Sequence, residues 1–261
     1  MGRYSREHPR SDHAFRSENE QLGGVLVVRT SECGSEGTGR EARYWCVAST
    51  QEDLIAVVLS AGVEDELVLD ALMLIPRAEF VPDNLVDRAY VDEPLPIPHG
   101  QVTTQPSLVA KMIEALDLDG SEGVLEVGTG FGFQTALLAR LARFVWSIER
   151  WPDLVQVAAA NLTRHGTTNV RVLVGDGTAG LAEQAPFDAI VVSAAYPAVP
   201  SPLVDQLATG GRLVQPIGSG GNEIVTLFQK KAERLVPVRS IVGARFVKLY
   251  GAHGFPGKGD G

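Results

Sequence analysis

Cysteine, basic residues and long apolar runs are all scarce in this chain. Its 261 residues include two cysteines, Cys33 and Cys46, which are too few for a disulfide scaffold and lack the spacing of a zinc site. No uninterrupted apolar run approaches the roughly 18 residues that a membrane span needs, and the charged first residues lack the apolar core of a signal peptide. These absences predict a cytoplasmic protein with no membrane partner and no bound metal.

Positive charge is also in deficit. The chain carries 23 Lys and Arg against 32 Asp and Glu, for a net charge of -9. It therefore lacks the basic field that holds proteins on phosphate backbones, and we expect no nucleic-acid partner. Hydrophobic residues make up 44% and charged residues 21%, which is typical of a packed globular protein. The length fits one or two domains, and we favour a monomer.

The first 50 residues are predicted to be an N-terminal extension that is partly disordered. Charged residues dominate its beginning and aliphatic side chains are few, so little surface is available for burial. Two short apolar runs, at 25–28 and 45–47, flank a stretch rich in Gly, Ser and Glu. This arrangement favours a hairpin with a long loop.

Residues 51–108 are predicted to form a module of helices and loop. Apolar residues recur at helical spacing over 54–59 and again over 68–73, which predicts two amphipathic helices. Pro76 ends the second helix. The PLPIP run at 94–98 favours extended backbone, and we expect it to form a lid or wall made of loop.

Residues 109–253 alternate between helix-length and strand-length apolar segments, followed by a flexible tail at 254–261. Strands separated by helical crossovers predict a doubly wound α/β domain, with a mostly parallel sheet covered by helices on both faces. The predicted helices lie at 109–116, 134–141, 153–165 and 203–207, and the predicted strands at 123–127, 144–148, 170–174, 189–192, 212–216, 223–229 and 236–249.

A glycine loop follows the first strand of this core. In VLEVGTGFGFQ, residues 124–134, glycines stand at 128, 130 and 132 and a helix begins directly after them. Glycine permits the tight turn and lets a ligand approach the amide groups at the helix N-terminus. A dinucleotide fingerprint would need glycine where Phe133 stands, so the spacing favours a nucleotide-like cofactor without a pyrophosphate. A purely structural strand-to-helix turn is the alternative.

Two acidic residues end the next two strands. Glu149 lies 17 residues beyond Gly132, where this topology places a carboxylate on ribose hydroxyls. Asp176, within Gly175-Asp176-Gly177, is placed to accept from an adenine amino group. The alternatives are an exposed glutamate paired with Arg150 and a simple Asp-Gly turn.

Taken together, these motifs resemble the protein-L-isoaspartate O-methyltransferases. The resemblance covers residues 54–253 and is most specific upstream of the glycine loop, where methyltransferases in general share little. The matching segments are IPRAEFVP (75–82), AYVDEPLPI (89–97), GQVTTQPSLVAKM (100–112), VLEVGTGFGFQTALLARL (124–141), Glu149, GDG (175–177), APFDAIVVSAA (185–195), GGRLVQPIG (210–218) and ARFV (244–247).

The resemblance implies a Rossmann-like methyltransferase fold and S-adenosyl-L-methionine as cofactor. It also implies isoaspartyl-containing proteins or peptides as substrates, in protein repair. The implied cofactor-binding residues are Glu126, Gly128, Thr129, Gly130, Gly132, Gln134, Glu149, Asp176 and Gly177.

The implied catalytic residues are Thr104 and Thr103. The family usually has a serine where this chain has Thr104, and that hydroxyl is thought to position the substrate carboxylate. Threonine keeps the hydroxyl but adds a methyl group that narrows the pocket, which puts substrate preference in question. Thr103 is the other candidate hydroxyl. Alternatively, both threonines only cap the helix that begins at Pro106.

The implied reaction needs no general base. The free α-carboxylate of an isoaspartyl residue is already ionised at neutral pH, so holding it in line with the methyl group suffices. Accordingly, we expect His99, His165 and His253 to be surface or loop residues.

Four other residues are assigned to the surroundings of the substrate. Asp92 and Tyr90 are expected to fix the PLPIP wall, unless they are ordinary loop residues. Arg77 and Arg245 are candidates for local positive charge, or else members of structural ion pairs.

Two alternatives to the repair enzyme stay open at this point. The first is a dedicated peptide-tailoring enzyme that esterifies an ordinary aspartate, which Thr104 and the N-terminal extension motivate. The second is a catalytically silent module that binds S-adenosylmethionine and serves in protein interaction. The intact glycine loop with Glu149 and Asp176 argues against the silent module.

Overall fold

A computed structural model describes residues 50–257. The predicted hairpin near the N-terminus and the last residues of the predicted tail lie outside this range. The helices within it are α1 (Gln51–Ser60), α2 (Glu66–Leu74), α3 (Pro106–Glu114), α4 (Phe133–Leu141), α5 (Pro152–His165) and α6 (Ser201–Gln206). The strands are β1 (Leu95–Ile97), β2 (Gln101–Thr103), β3 (Gly123–Val127), β4 (Phe144–Glu149), β5 (Val170–Val174), β6 (Phe187–Val192), β7 (Leu207–Ile217), β8 (Glu223–Lys231) and β9 (Arg234–Ala244).

Seven of these strands form one sheet in the order β5-β4-β3-β6-β7-β8-β9. Strands β3 to β7 run parallel to one another, whereas β8 and β9 are added to β7 as an antiparallel edge. The chain order reverses between β3 and β6, which makes this the topological switch point of the sheet. The predicted doubly wound, mostly parallel fold is confirmed.

The burial of each strand follows from its place in the sheet. Every residue of the central strand β3 is buried, as expected between two neighbouring strands and two helical layers, and its one charged residue, Glu126, is hydrogen-bonded. The edge strand β9 has only exposed and half-buried residues. On the helical layers, α5 begins with Pro152 in its first turn and ends at Gly166 in the left-handed conformation, as these residue types favour.

The helices that precede the sheet share its main core. The fully buried side chains of Val58, Leu72 and Met112, from α1, α2 and α3, belong to the same apolar cluster as Leu137 of α4. Burying a side chain of this size contributes about 1.5–3 kcal/mol. A capping box between Thr50 and Asp53 begins α1 and stabilises its first turn.

Three predicted elements differ from the structure. The PLPIP run is not loop: Leu95–Ile97 pairs with Gln101–Thr103 as a two-stranded antiparallel hairpin, in which proline is tolerated because both strands are edges. The last predicted strand ends at Ala244 rather than at 249. Leu207 begins β7 instead of ending a helix. Among residues 50–257, no helix is long and apolar enough to cross a membrane.

Candidate active site

A cleft opens at the carboxyl ends of the parallel strands, at the switch point between β3 and β6. Five segments supply most of its wall: 101–104 of the hairpin, 127–131 of the glycine loop, 148–150 at the end of β4, 193–194 after β6, and 247–250. Ligands of open α/β sheets bind at this position. The cleft therefore joins the predicted cofactor loop to the predicted substrate wall.

The glycine loop has the backbone that its sequence predicts. Gly128, Gly130 and Gly132 have φ values of 98°, 56° and 93°, in the left-handed region that favours glycine. Gly128 and Gly130 line the cleft, whereas Gly132 does not. Instead, Gly132 is the N-cap of α4, and an added Cβ there would lie 3.3 Å from Leu162.

Glu126 lies beneath the loop and does not line the cleft. Its side chain is completely buried, and its carboxylate accepts hydrogen bonds from Gln134 at 3.0 Å, Thr135 at 2.5 Å and Ser147 at 2.6 Å. Burial raises the pKa of Glu126 to about 7, against the opposing effect of these hydrogen bonds. The residue thus ties β3 to α4 and β4 under the cleft.

Gln134 is held by two acceptors and has one free oxygen. Its Nε2 donates to Glu126 and, at 2.9 Å, to the Ser193 hydroxyl. The buried carbonyl oxygen Oε1 has no hydrogen-bond partner among the described residues, and Gln134 lines the cleft. A buried acceptor without a protein partner is available to a donor group of a bound ligand. Thr129 also lines the cleft, but its hydroxyl lies 2.5 Å from that of Ser147.

Glu149 lines the cleft at the end of β4, as predicted. Its carboxylate accepts from the backbone N–H groups of Gly130 at 3.1 Å, Arg150 at 2.8 Å and Trp151 at 3.2 Å. A carboxylate has about four acceptor positions, so about one remains, on the oxygen that faces Gly130. Glu149 is therefore rigidly placed and has less free acceptor capacity than two ribose hydroxyls would use.

Asp176 does not line the cleft, although its neighbour Gly177 does. One Asp176 oxygen accepts from the backbone and hydroxyl of Thr178, and the other accepts from the backbone of Ala252 at 2.7 Å. Burial alone would raise the pKa of Asp176. The hydrogen bonds from Ala252 and Thr178 outweigh burial, so the net effect is a lowered pKa. An added Cβ at Gly177 would lie 2.3 Å from Val127, so only glycine fits there.

Both candidate threonines line the cleft opposite the glycine loop. The Thr103 hydroxyl is bonded to Arg77 at 2.9 Å and to the backbone N–H of Leu95 at 3.2 Å. The Thr104 hydroxyl has no partner among the described residues, although its carbonyl accepts from Arg77 at 3.4 Å. Neither threonine caps α3, because the N-cap residue is Gln105 and no side chain caps that helix.

The surroundings of the threonines are fixed by Asp92 and Arg77. Asp92 accepts from Gln105 at 2.8 Å and from the backbone of Ser107 at 2.8 Å, which anchors the start of α3. Arg77 is buried and forms no ion pair with the cleft side chains. Tyr90 packs against the core, and burial raises its pKa. Arg245 lies outside the cleft, where it donates to the carbonyl of Gly221 at 3.0 Å.

The three histidines considered from the sequence do not line the cleft. His99, at the tip of the hairpin, stacks on Trp151 with ring centroids 3.9 Å apart and pairs with Asp153 at 2.8 Å. These contacts hold the hairpin tip against the start of α5. His165 pairs with Glu79 on another face, and the backbone of His253 donates to Thr178.

Sequence reasoning missed several residues that line the cleft. Arg150 follows Glu149 directly and lies between the rings of Trp151 and Tyr250, at 4.9 and 5.2 Å from their centroids. Lys248 is an exposed cation at the edge of the cleft. Phe80 also lines the cleft and lies in the segment between α2 and β1. Signals were available for all three: Phe80 lies within the matched segment IPRAEFVP, Arg150 directly follows Glu149, and Lys248 directly follows the matched segment ARFV.

The switch-point cleft, the GxGxG loop and the carboxylate at the end of β4 define a class of protein. They are the features of a Rossmann-like enzyme that binds a nucleotide cofactor without a pyrophosphate. The model of the protein-L-isoaspartate (D-aspartate) O-methyltransferase family matches residues 49–254. The chain therefore belongs to this family.

Individual relatives agree with the family match. The chain is 46% identical over 213 residues to the protein-L-isoaspartate O-methyltransferase of Methanoculleus marisnigri, a match that covers 82% of this chain and 96% of the relative. It is 50% identical over 190 residues to that of Anaeromyxobacter dehalogenans, covering 72% and 91% of the two chains.

Solved structures agree as well. A protein-L-isoaspartate O-methyltransferase structure superposes with a TM-score of 0.70 at 31% identity, covering 78% of this chain and 67% of its own. A Plasmodium falciparum protein described by the same name, solved with S-adenosyl-L-homocysteine, gives 0.67 at 23% identity, covering 77% and 98%. The second likeness concerns the fold alone.

Proposed function

We propose that this protein methylates the free α-carboxylate of L-isoaspartyl residues, using the cleft between the glycine loop and the hairpin. The observation that carries this proposal is that Thr103 and Thr104 face the same cleft as Gly130 and Glu149. One wall offers hydroxyl groups to an anion and the other offers a cofactor loop, so the two reactants can meet between them.

The enzyme class is not in question. Family membership confirms the prediction of an S-adenosylmethionine-dependent protein-L-isoaspartate O-methyltransferase, a protein repair activity. What remains a proposal is the work of individual residues, the identity of the carboxylate and the range of substrates.

The residues present fit the cofactor. The unpartnered Gln134 Oε1 suits an ammonium group, since each requires the other type of hydrogen-bond partner. The left-handed glycines leave room beside the start of α4, and the free acceptor position of Glu149 suits a hydroxyl group. When bound, S-adenosylmethionine supplies the methyl group. Glu126, Gly132 and Asp176 would act indirectly, since they shape the loop without lining the cleft.

On the other wall, the threonine hydroxyls would orient the substrate carboxylate. A carboxylate of this type is ionised at neutral pH, so no side chain must remove a proton. The cleft suits such a mechanism, because within residues 50–257 no histidine lines it. The chain's own contribution is position, because Asp92 and Arg77 hold the threonine segment in place.

The net charge of -9 does not oppose an anionic substrate. Exposed charges further apart than about 8 Å are largely screened at physiological salt, so local donors decide. We also propose a cytoplasmic, monomeric enzyme without nucleic-acid partners, in keeping with two cysteines and an acidic composition.

A pair of matched peptides tests the proposal. The full chain is incubated with labelled S-adenosylmethionine and with two peptides that differ only in an L-isoaspartyl or an L-aspartyl residue. We expect the isoaspartyl peptide to be labelled, and the label to be lost on succinimide formation. A third peptide, with the α-carboxylate of the isoaspartyl residue converted to a carboxamide, should accept no methyl group.

The outcomes separate the readings of the sequence. Exclusive labelling of the aspartyl peptide would replace repair by peptide tailoring, the reading that Thr104 motivates. Binding of the cofactor without labelling of any peptide would indicate a silent module. Labelling of several unrelated isoaspartyl peptides at similar rates would support a broad repair role.

A further inference from the structure

Arg77 is a buried cation whose two terminal nitrogens donate hydrogen bonds that reach the substrate wall, while its Nε has no partner among residues 50–257. The side chain is 1% exposed. Its Nη1 donates to the carbonyls of Ala89 at 3.1 Å and Val91 at 2.8 Å. Its Nη2 donates to the carbonyl of Glu93 at 2.9 Å and to the Thr103 hydroxyl at 2.9 Å. The guanidinium thus joins the loop before β1 to the end of β2.

This arrangement fixes the chemical role of the Thr103 hydroxyl. A hydroxyl oxygen has two acceptor positions and one hydrogen. Arginine and a backbone N–H can only donate, so the Thr103 oxygen accepts from both Arg77 and Leu95. Both acceptor positions are filled, and the hydroxyl hydrogen is left as the only free group.

That hydrogen has no acceptor within residues 50–257. No further hydrogen bond involves the Thr103 hydroxyl, and Thr103 lines the cleft. A buried donor without a partner is costly unless a ligand supplies the acceptor. Thr104 differs, because its hydroxyl has no protein partner and can rotate to donate or accept.

We propose that Arg77 is a positioning residue for methyl transfer, which together with the Leu95 N–H makes the Thr103 hydroxyl a permanent donor to the substrate carboxylate. This inference rests on the proposed function. Two acceptor-saturating bonds orient the hydroxyl before the substrate arrives, so no hydroxyl rotation has to be arrested on binding. A carboxylate oxygen, which can only accept, is the partner that this hydroxyl selects.

The charge on Arg77 adds to the effect. Burial lowers the pKa of Arg77 to about 10, against the raising influence of Asp92 and Glu93, so the group stays charged at neutral pH. A hydroxyl that accepts from a cation is polarised, and its own hydrogen bond to an anion is strengthened. The cation thereby acts on the substrate through Thr103 rather than by direct contact.

The test uses Thr103→Val and Thr103→Ser in the full chain. Thr103→Val keeps the shape but removes the hydroxyl, and we expect kcat/KM for the isoaspartyl peptide to fall about 10- to 100-fold, as loss of a hydrogen bond to a charged group implies. Thr103→Ser keeps all three hydrogen bonds and should stay within about threefold of wild type. Calorimetry with S-adenosyl-L-homocysteine should give wild-type affinity for both variants.

A carboxamide peptide distinguishes this role from general damage to the hairpin. In this peptide a carboxamide replaces the α-carboxylate of the isoaspartyl residue. Its inhibition constant as a competitive inhibitor is compared with the affinity for the carboxylate peptide. Wild type should prefer the carboxylate peptide, and Thr103→Val should lose most of that preference. A structural defect would weaken both peptides equally and would overturn the proposal.

Arg77 is tested by a double-mutant cycle with Thr103→Val. If Arg77 acts through Thr103, Arg77→Met lowers kcat/KM at least tenfold in the wild-type background and much less in the Thr103→Val background. Equal factors in the two backgrounds would overturn the positioning role. Where Arg77→Met does not fold, as judged by thermal unfolding, the Thr103→Val and Thr103→Ser pair decides the proposal alone.

Failure of this inference is distinguishable from failure of the proposed function. A wild-type chain that methylates the isoaspartyl peptide, together with an equally active Thr103→Val, overturns only the inference. A wild-type chain that methylates no isoaspartyl peptide overturns both.

Discussion

Gly130 lies on the cofactor loop opposite Ile97 of the hairpin. Its φ of 56° is a conformation that side chains with a Cβ adopt only at a cost, and an added Cβ would lie 3.6 Å from Ile97 on the opposite wall. Any larger side chain would therefore extend into the cleft itself. At position 130, both the backbone conformation and the space left for a ligand therefore require glycine.

Gly130→Val should remove cofactor binding. The branched side chain fills the space between the loop and Ile97, and we expect affinity for S-adenosyl-L-homocysteine to fall by a factor of about 100 or more, which corresponds to about 3 kcal/mol. Isothermal titration calorimetry measures the loss directly. Gly62→Val is the matched control, since Gly62 also has a positive φ, of 91°, but no atom would meet its Cβ and it does not line the cleft.

The control separates backbone strain from exclusion of the ligand. Gly62→Val should lower the melting temperature while leaving the affinity at its wild-type value. Unchanged affinity in Gly130→Val would mean that the ligand does not approach this loop.

Thr104→Ala should lower turnover with little change in cofactor affinity. The Thr104 hydroxyl has no partner within residues 50–257 and lines the cleft, so its removal affects the bound substrate and not the fold. A hydrogen bond to a charged group is worth about 1.5–3 kcal/mol, so we expect kcat/KM to fall roughly 10- to 100-fold. Steady-state kinetics with the isoaspartyl peptide measures the change.

Thr104→Ser is the informative companion to that variant. It keeps the hydroxyl and removes the methyl group that narrows the cleft. Activity near wild type would show that the methyl group has no influence on the isoaspartyl peptide. Wild-type turnover in Thr104→Ala would instead leave orientation of the carboxylate to Thr103 and to backbone groups.

At the scale of single residues, the sequence predicts where polar groups lie better than it predicts which hydrogen-bond partners they have. The spacing of Gly128, Gly130 and Glu149 predicts a shared ligand site, and all three residues line one cleft. The same spacing could not reveal that Asp176 is occupied by Thr178 and Ala252, because Ala252 lies 76 positions further along the chain. Such long-range hydrogen bonds leave no local pattern.

At the scale of elements, Glu126 joins three of them. It stands on β3 and accepts from Ser147 of β4 and from Gln134 and Thr135 of α4. The Gln134 amide nitrogen can only donate a hydrogen bond, and the hydroxyl groups of Ser147 and Thr135 are able to donate one. All three therefore suit an ionised carboxylate. The network ties the first turn of α4 to β3 and β4 and holds the Gln134 amide at the cleft.

Glu126→Gln should change how the stability of the unliganded protein depends on pH. The usual pKa of 4.5 rises to about 7 in the folded state, because burial disfavours the charge. Between these values the folded state binds the proton more tightly than the unfolded state, so stability is lost as the pH rises through this window. The difference in pKa corresponds to a loss on the order of 3 kcal/mol between about pH 4.5 and pH 7.

Chemical denaturation at several pH values between 5 and 8 measures this effect. Other titrating groups contribute to wild type and variant alike, so the difference between the two isolates Glu126. We expect the free energy of unfolding of wild type to fall relative to that of Glu126→Gln as the pH rises. A difference that is constant across the range would contradict a raised pKa.

Helices and strands of the core follow from periodicity, whereas the hairpin does not. A strand such as β3, apolar except for Glu126 and followed by a glycine loop, carries its own signal. Strands β1 and β2 have only three residues each, and the middle residue of β1 is Pro96. Segments this short carry no strand signal of their own, and each is a strand only because it pairs with the other. Their pairing depends on tertiary contacts such as His99 on Trp151 and Thr103 on Arg77. Those contacts become visible only in the folded chain.

At the scale of the whole molecule, charge and site are set independently. The net charge of -9 governs long-range interactions, yet the cleft of an acidic protein is lined by Arg150 and Lys248 and lies close to Arg77. Because the potential of distant charges is screened, these nearby cations allow the cleft to bind an anion. Composition therefore indicates what the protein avoids at long range better than what it binds.

The family match covers less than the whole chain. The family model begins at residue 49, and the Methanoculleus marisnigri relative is matched over 96% of its length by 213 residues of this chain. We therefore expect a variant that lacks residues 1–46 to keep kcat/KM for the isoaspartyl peptide within about twofold. Its free energy of unfolding should stay within about 0.5 kcal/mol of wild type, the range of surface changes that remove no specific feature. Denaturant titrations of the two proteins, with steady-state kinetics alongside, measure both quantities. A large loss of stability would place the N-terminal residues in the core, and a loss of activity toward long but not short substrates would make them part of substrate recognition.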